Sequence, residues 1–301
     1  MPAPPAVIDT HVHFWDLARF RYPWLDAEEC APFRSSYLPR QLIADFDDVN
    51  VTGLVHVQAD IDRQIDPVEE TKWLESTVAA QDDLPPTVCV GYADLRAPDL
   101  DDVLRRHLEC ELMRGIRQEA WFDPDSTLPG ILRTNLLSDA AWIRGLRSLG
   151  RYNLLFELLV KAEQLEQAAA VFNDLPELPV VLEHTGVPIN DDGGPPPLWR
   201  SGMRAFAKSV PHSVLKISAM GFIRPSWSLA DIGPIVREGI EIFGPERCML
   251  GSNFPVEQPH GSYSRLWRAY DEITSDLSAD ERSDIFWRTA QRIYQIEPAN
   301  R

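Results

Sequence analysis

The chain is short of basic residues. Its 301 residues carry 29 Lys and Arg against 46 Asp and Glu, a formal net charge of −17 at pH 7. A nucleic-acid backbone or an anionic membrane surface needs a basic partner face, so neither is expected to bind here. No apolar run is long enough to span a bilayer, and Met1–Ala6 has neither the basic start nor the apolar stretch of a secretory signal. Cysteines are few. Cys30, Cys89, Cys110 and Cys248 lack the spacing of a metal site and read as reduced thiols of a cytoplasmic protein. Internal repeats, low-complexity tracts and linker-like stretches are absent, so residues 1–301 read as one domain. The first apolar run is not followed by the Gly-rich fingerprint that a doubly wound dinucleotide-binding sheet requires. The composition leaves a homo-oligomer open.

What is present is a regular alternation. Short β-rich runs occur at Val7–His11, Gly53–Gln58, Thr87–Ala93, Met113–Gln118, Asn153–Leu159, Pro179–His184, Ser213–Ser218 and Arg247–Ser252. Segments of helical period lie between them, at Pro39–Asn50, Val68–Gln81, Leu100–Cys110, Ser138–Leu149, Lys161–Asn173, Pro197–Ser209 and Leu229–Phe243. Two more follow, near Ser262–Thr274 and Ala279–Tyr294. Strands alternating with helices pair in parallel. Eight such units predict an α/β fold: a closed (β/α)8 TIM-type barrel with extra C-terminal helices. The Pro/Gly/Asp-rich stretch Val187–Pro197 reads as a loop over the barrel mouth.

In such a barrel the reacting groups gather at the C-terminal ends of the strands, and the polar residues of this chain fall there. His11 and His13 form a His-x-His at the end of the first run, with both side chains on one face. They are placed to grip one metal ion or one substrate oxygen. Gln58 ends the second run, and His56 two residues before it reads either as a substrate contact inside the barrel or as a satisfied core histidine. Arg117 and Glu119 end the fourth, His184 the sixth, Lys216 and Ser218 lie on the seventh, and Asn253 follows the eighth. Closure sets Asn253 next to the His-x-His pair. Arg117 suits a substrate carboxylate or a rim ion pair. Trp121 is a candidate pocket wall, alongside Trp15, Trp24 and Trp227, and His260 a contact from the overhanging loop. His107 and His212 read as surface residues.

These segments together resemble the amidohydrolase superfamily, in its amidohydrolase-2, lactonase-like branch of sugar-lactone and pyrone dicarboxylate lactone hydrolases. The resemblance is carried by Ile8-Asp9-Thr10-His11-Val12-His13, Val55-His56-Val57-Gln58, Arg114-Gly115-Ile116-Arg117-Gln118, Leu182-Glu183-His184-Thr185-Gly186, Val214-Leu215-Lys216-Ile217-Ser218 and Gly251-Ser252-Asn253-Phe254-Pro255. It implies a hydrolase of a lactone or related cyclic ester of a small carboxylic acid. His11, His13 and His184 would be metal ligands or would bind and polarise the substrate carbonyl. The family pattern has Asp as the water-activating base where this chain has Asn253, and an amide is neither basic nor a good metal ligand. The fifth run has no His and the fourth no Lys at the corresponding place, which excludes a dinuclear site. No cofactor is therefore expected, with a single divalent metal such as Zn on His11, His13 and His184 as the alternative. His184 becomes the favoured base, with the Asn253 N–H orienting a substrate oxygen and His11, His13, Lys216 or Arg117 meeting the oxyanion. A metal-independent isomerase or (de)carboxylase-type proton-transfer enzyme, and a non-catalytic ligand-binding barrel, stand as the other readings.

Overall fold

The computed structural model describes residues 5–126, 131–189 and 194–296. Eight parallel strands form one sheet in the order of the chain: β1 Ala6–Val12, β2 Asn50–Val57, β3 Thr87–Gly91, β4 Met113–Arg117, β5 Leu155–Leu158, β6 Val180–Leu182, β7 Ser213–Ile217 and β8 Cys248–Leu250. Just past β8, a parallel bridge from Val12 to Phe254 brings the end of the sheet back to β1. The result is the TIM-type barrel that the alternation predicts. Among the described residues no helix is long and apolar enough to cross a membrane.

Helices α1 Pro39–Asp45, α2 Val68–Ala79, α3 Leu100–His107, α4 Ala140–Arg151, α5 Leu165–Asn173, α6 Pro197–Ser209, α7 Met220–Ile223 and α8 Leu229–Phe243 follow the strands in turn. Then come α9 Tyr263–Ile273, α10 Ala279–Ser283 and α11 Thr289–Tyr294. The expected helix at Pro39–Asn50 stops at Asp45, because β2 already begins at Asn50. The short α7 lies in a segment too brief to show a helical period. The final periodic segment is interrupted by a π turn at Asp284–Arg288, a widening that sequence period does not resolve. Residues 190–193 of the expected mouth loop lie outside the described residues.

Alternation along each strand splits the core in two. Ile8, Val55, Val57, Val88, Val90, Leu155, Val181, Val214 and Met249 fill the barrel interior, with Tyr294 and Ile296 packed under them. The residues between, such as Leu54, Ile116, Phe156, Leu182, Leu215 and Leu250, face the helices. In β1 the phase changes. Asp9 pairs with Leu54 but Val12 with His56, three steps against two. This bulge inserts one residue and reverses the faces beyond it. Ile8 is therefore inside and Val12 outside, and His11 and His13 turn inward rather than into the helical layer.

Candidate active site

The apolar filling of the barrel gives way to charge one step higher on each strand. Arg117, Glu157, Glu183 and Lys216 occupy the next inward positions of β4, the following strand, the end of β6 and β7, and all are buried. Lys216 Nζ donates to Glu157 Oε2 at 2.6 Å, and the hydroxyl of Tyr294 donates to the other oxygen of Glu157. Burial raises the affinity of Glu157 for its proton, but the Lys216 ammonium outweighs it and holds the carboxyl below its ordinary value. Glu183 lies against Glu157, and burial pushes its pKa well up, helped by that neighbouring charge. Two adjacent carboxyls cannot both ionise cheaply in a dry interior, so burial and Glu157 favour the protonated form of Glu183 against the opposing pull of Arg117. On β8 the equivalent position is Gly251. A Cβ there would stand 2.8 Å from His11 Cβ, so the glycine leaves the room that His11 fills.

The three histidines meet above this layer. His11 Nε2 and His13 Nε2 are 3.1 Å apart, and the His11 and His184 ring centroids are 4.7 Å apart. His13 Nδ1 donates to Val57 O at 2.8 Å, which leaves its Nε2 with a lone pair aimed at His11. His184 Nδ1 is 2.9 Å from Ser218 Oγ. All three rings are kept neutral. Burial lowers His13 to about 3 with help from Arg117, and lowers His11 and His184 well below the usual histidine range. The 3.1 Å contact then requires a hydrogen on His11 Nε2 that donates to His13, unless a metal ion takes both lone pairs. His11 Nδ1 points at Glu183 Oε1 from 3.4 Å without hydrogen-bond geometry, and among the described residues the Glu183 oxygens have Arg117 as an ion-pair neighbour at 3.6 Å but no partner within hydrogen-bond geometry. His11, Glu157 and Glu183 also offer three ligand atoms within 4.8 Å of one another. Lys216 and Tyr294 already engage Glu157, so the converging imidazoles are the better fit to a single cation.

Backbone strain concentrates here. His184, Thr185, Val187, Ala219 and Asn253 all have φ between 49° and 60°, the left-handed region that Asn and His tolerate and that costs a β-branched residue on the order of 1–3 kcal/mol. Asn253 lies where closure sets it, its N–H donating to His11 O at 2.7 Å. Its side-chain Nδ2 donates to Glu257 Oε1 at 3.4 Å.

Other sequence candidates divide. Arg117 is no free fork for a substrate carboxylate. It is a buried hub within 3.0 Å of Glu119, 3.5 Å of Asp60 and 3.6 Å of Glu183, and it donates to Gln58 O. Gln58 Nε2 donates to Glu119 Oε1. Burial, with Asp60 beside it, raises Glu119 to about 7. Lys216 is likewise spent on Glu157, below the histidines. His56 does not enter the barrel. It sits between the inward Val55 and Val57, so its ring turns outward and stacks on Phe14 at 5.5 Å. His107 is fully buried rather than on the surface, bridging Thr71 Oγ1 and Tyr92 O, while His212 is half-buried. Trp121 meets Phe222 edge-on at 6.0 Å. That pair joins loops after β4 and β7 across two intervening strands. Trp15 and Trp24 instead pack on each other and donate to backbone carbonyls, and Trp227 lies under Arg265. His260 packs against Gly221 on the neighbouring turn.

A family model described as amidohydrolase matches residues 8–296, nearly the whole described chain. The chain belongs to the amidohydrolase family. It is a hydrolase of that superfamily. It is 34% identical over 300 residues to an uncharacterized protein, y4mH, of Sinorhizobium fredii, covering 97% of this chain and 99% of that one. It is 29% identical to an L-fucono-1,5-lactonase of Burkholderia multivorans, covering 97% of each. A crystal structure of an amidohydrolase from Burkholderia multivorans with bound zinc superposes with a TM-score of 0.81 at 27% identity, covering 97% of this chain and all of that one.

Three acids beside the histidines escape the sequence reading: Glu157, Glu183 and Glu257. Glu183 precedes the noticed His184, and its signal was available: it is ionisable and two steps from the inward Val181. Glu257 lies in a loop with no period, four residues past Asn253, and the turn that brings Glu257 N to Asn253 O sets the two side chains together.

Proposed function

We propose that the protein hydrolyses a lactone, or a related cyclic ester, of a small carboxylic acid. The supporting observation is a cluster of three neutral histidines at the barrel mouth, joined with relatives named as lactonases. His184 acts as the base. With its Nδ1 proton given to Ser218 Oγ, its Nε2 lone pair accepts a proton from the attacking water. The ester carbonyl oxygen lies against the His11–His13 pair, where the His11 Nε2–H turns from His13 to donate to the developing oxyanion. Collapse of the tetrahedral intermediate opens the ring, and the proton held by His184 passes to the departing alkoxide. Where a divalent metal is bound, His11 and His13, with His184 beside them, would hold it, and it would supply Lewis-acid polarisation of the carbonyl. Asn253 has no basicity to contribute and serves as a polar contact for the substrate. Trp121 and Phe222 bound the mouth on one side and favour a substrate with a flat or apolar face.

The test is proton release in weakly buffered solution with a panel of sugar-acid lactones that includes L-fucono-1,5-lactone, on chelated and on zinc-loaded protein. Ring opening of at least one lactone is expected, with His184→Ala slower by a factor on the order of 10² or more. Failure to open any lactone in either state refutes the reading. Asn253 in place of a base favours one second reading, a proton-transfer isomerase. Deuterium uptake from solvent into a lactone whose ring stays closed would establish it.

A further inference from the structure

We infer that Glu257 is a positioning residue: it fixes the amide of Asn253 and ties the Phe222-bearing turn to the loop after β8. The role builds on the lactonase site proposed above, to which Asn253 belongs. Glu257 is 2% exposed yet lies in a loop. Its carboxylate is surrounded by donors from two elements. Gly221 N donates to Oε2 at 2.6 Å, Phe222 N to Oε1 at 3.3 Å, and Asn253 Nδ2 to Oε1 at 3.4 Å. Burial raises Glu257 to about 7, but an oxygen facing an N–H must accept, and two backbone N–H groups already fix both oxygens as acceptors. Glu257 therefore dictates which end of the Asn253 amide faces it: the NH2 group turns to Glu257, and the carbonyl Oδ1 turns away. Among the described residues that oxygen has no hydrogen-bond partner, and it is not among the sealed-in unpartnered atoms. Asn253 thus offers the substrate an acceptor, suited to a hydroxyl, rather than the N–H expected from sequence.

The same carboxylate holds α7 in place. The two backbone donors it engages begin that one-turn helix, and the contact is too close for any side chain at Gly221. A Cβ there would lie 2.4 Å from His260 Cβ and 2.5 Å from Glu257 Oε2. Phe222, next in the chain, is 44% exposed and reaches Trp121 from the far side of the mouth. One buried side chain therefore sets both the polarity of Asn253 and the height of the aromatic pair.

The polarity argument has a reciprocal test. Glu257→Gln puts an NH2 group against donors. Adding Asn253→Asp restores one donor and one acceptor with the direction reversed, and still leaves an oxygen facing the mouth. Each single variant is expected to lower Tm by roughly 3 °C or more, and the double variant to regain most of that loss. Glu257→Ala crystals should show Met220–Ile223 displaced from the Gln258–His260 turn. On any lactone the wild type opens, Glu257→Gln should lower kcat about tenfold or more with KM changed less than about threefold. Additive Tm losses, an undisplaced turn, or kinetics that track stability alone would overturn the role. A wild type that opens no lactone overturns the lactonase reading, while the crystals and the Tm cycle still decide Glu257.

Discussion

Removing the ammonium of Lys216 tests whether the charged layer under the histidines is a structural unit. In Lys216→Met the chain keeps its length, while Glu157 loses its partner at 2.6 Å and both positions stay fully buried. At an effective dielectric of about 20 the gross attraction at that distance is about 6 kcal/mol. Withdrawing both groups from water offsets much of it, yet deleting one member leaves an uncompensated buried charge and costs about 3–5 kcal/mol. At roughly 2–4 °C per kcal/mol, the unfolding midpoint should fall by roughly 10 °C. The loss should depend on pH. In the wild type the depressed Glu157 pKa contributes stability that is present above about 4.5 and fades as the pH drops through its folded value. In the variant the buried carboxyl prefers its proton, and the penalty grows as the pH rises above about 4.5. Wild type and variant should therefore converge in acid and separate toward neutrality. Adding Glu157→Gln should recover a large part of the loss. Differential scanning fluorimetry across pH measures all three. A loss below about 1 kcal/mol, or one constant with pH, would refute the assignment of Lys216 to the protein's own carboxylate.

Ser218→Ala should leave the fold intact while lowering kcat on a turned-over lactone by about tenfold or more, because His184 loses the partner that orients its ring. Steady-state kinetics beside an unchanged melting curve checks this, and unchanged kcat would remove Ser218 from the site. His107, lowered by burial to about 4, resists protonation in the folded state. The wild type should therefore lose stability as the pH falls from about 6.5 toward about 4, by up to about 3 kcal/mol from this group. His107→Gln should flatten that limb in urea titrations, and an equally steep limb would count against it.

The eight strands were legible because each is a short β-rich run bounded by breakers, and the count alone forces closure. The order of the chain then placed Asn253 beside His11. The charged layer was less legible. Reading it requires the inward phase of every strand, and in β1 that phase is reversed by a bulge that leaves no mark in residue type. Lys216 and Arg117 were visible as polar strand-end residues, but their partners Glu157 and Glu183 were not counted as acids waiting for them. For His56 the core reading holds: it shares the face of Gln58, and that face is the outer one, where its ring is buried against Phe14. His107 was read from its helix alone, whereas its burial comes from Thr71 and Tyr92 on other elements.

The seam between the two ends of the chain has a consequence for the order of folding. His11 and His13 are synthesised well before the residues that set their geometry, which lie some 240 positions further along. His11 O accepts from Asn253 N, His13 N donates to Phe254 O, and Thr10 Oγ1 donates to Leu250 O. The floor under the charged layer waits longer still, for the Tyr294 hydroxyl and Ile296. Nascent chains lacking these residues would hold the histidines with no closed barrel to aim them. The site would therefore assemble only after the residues of β8 and beyond have been made.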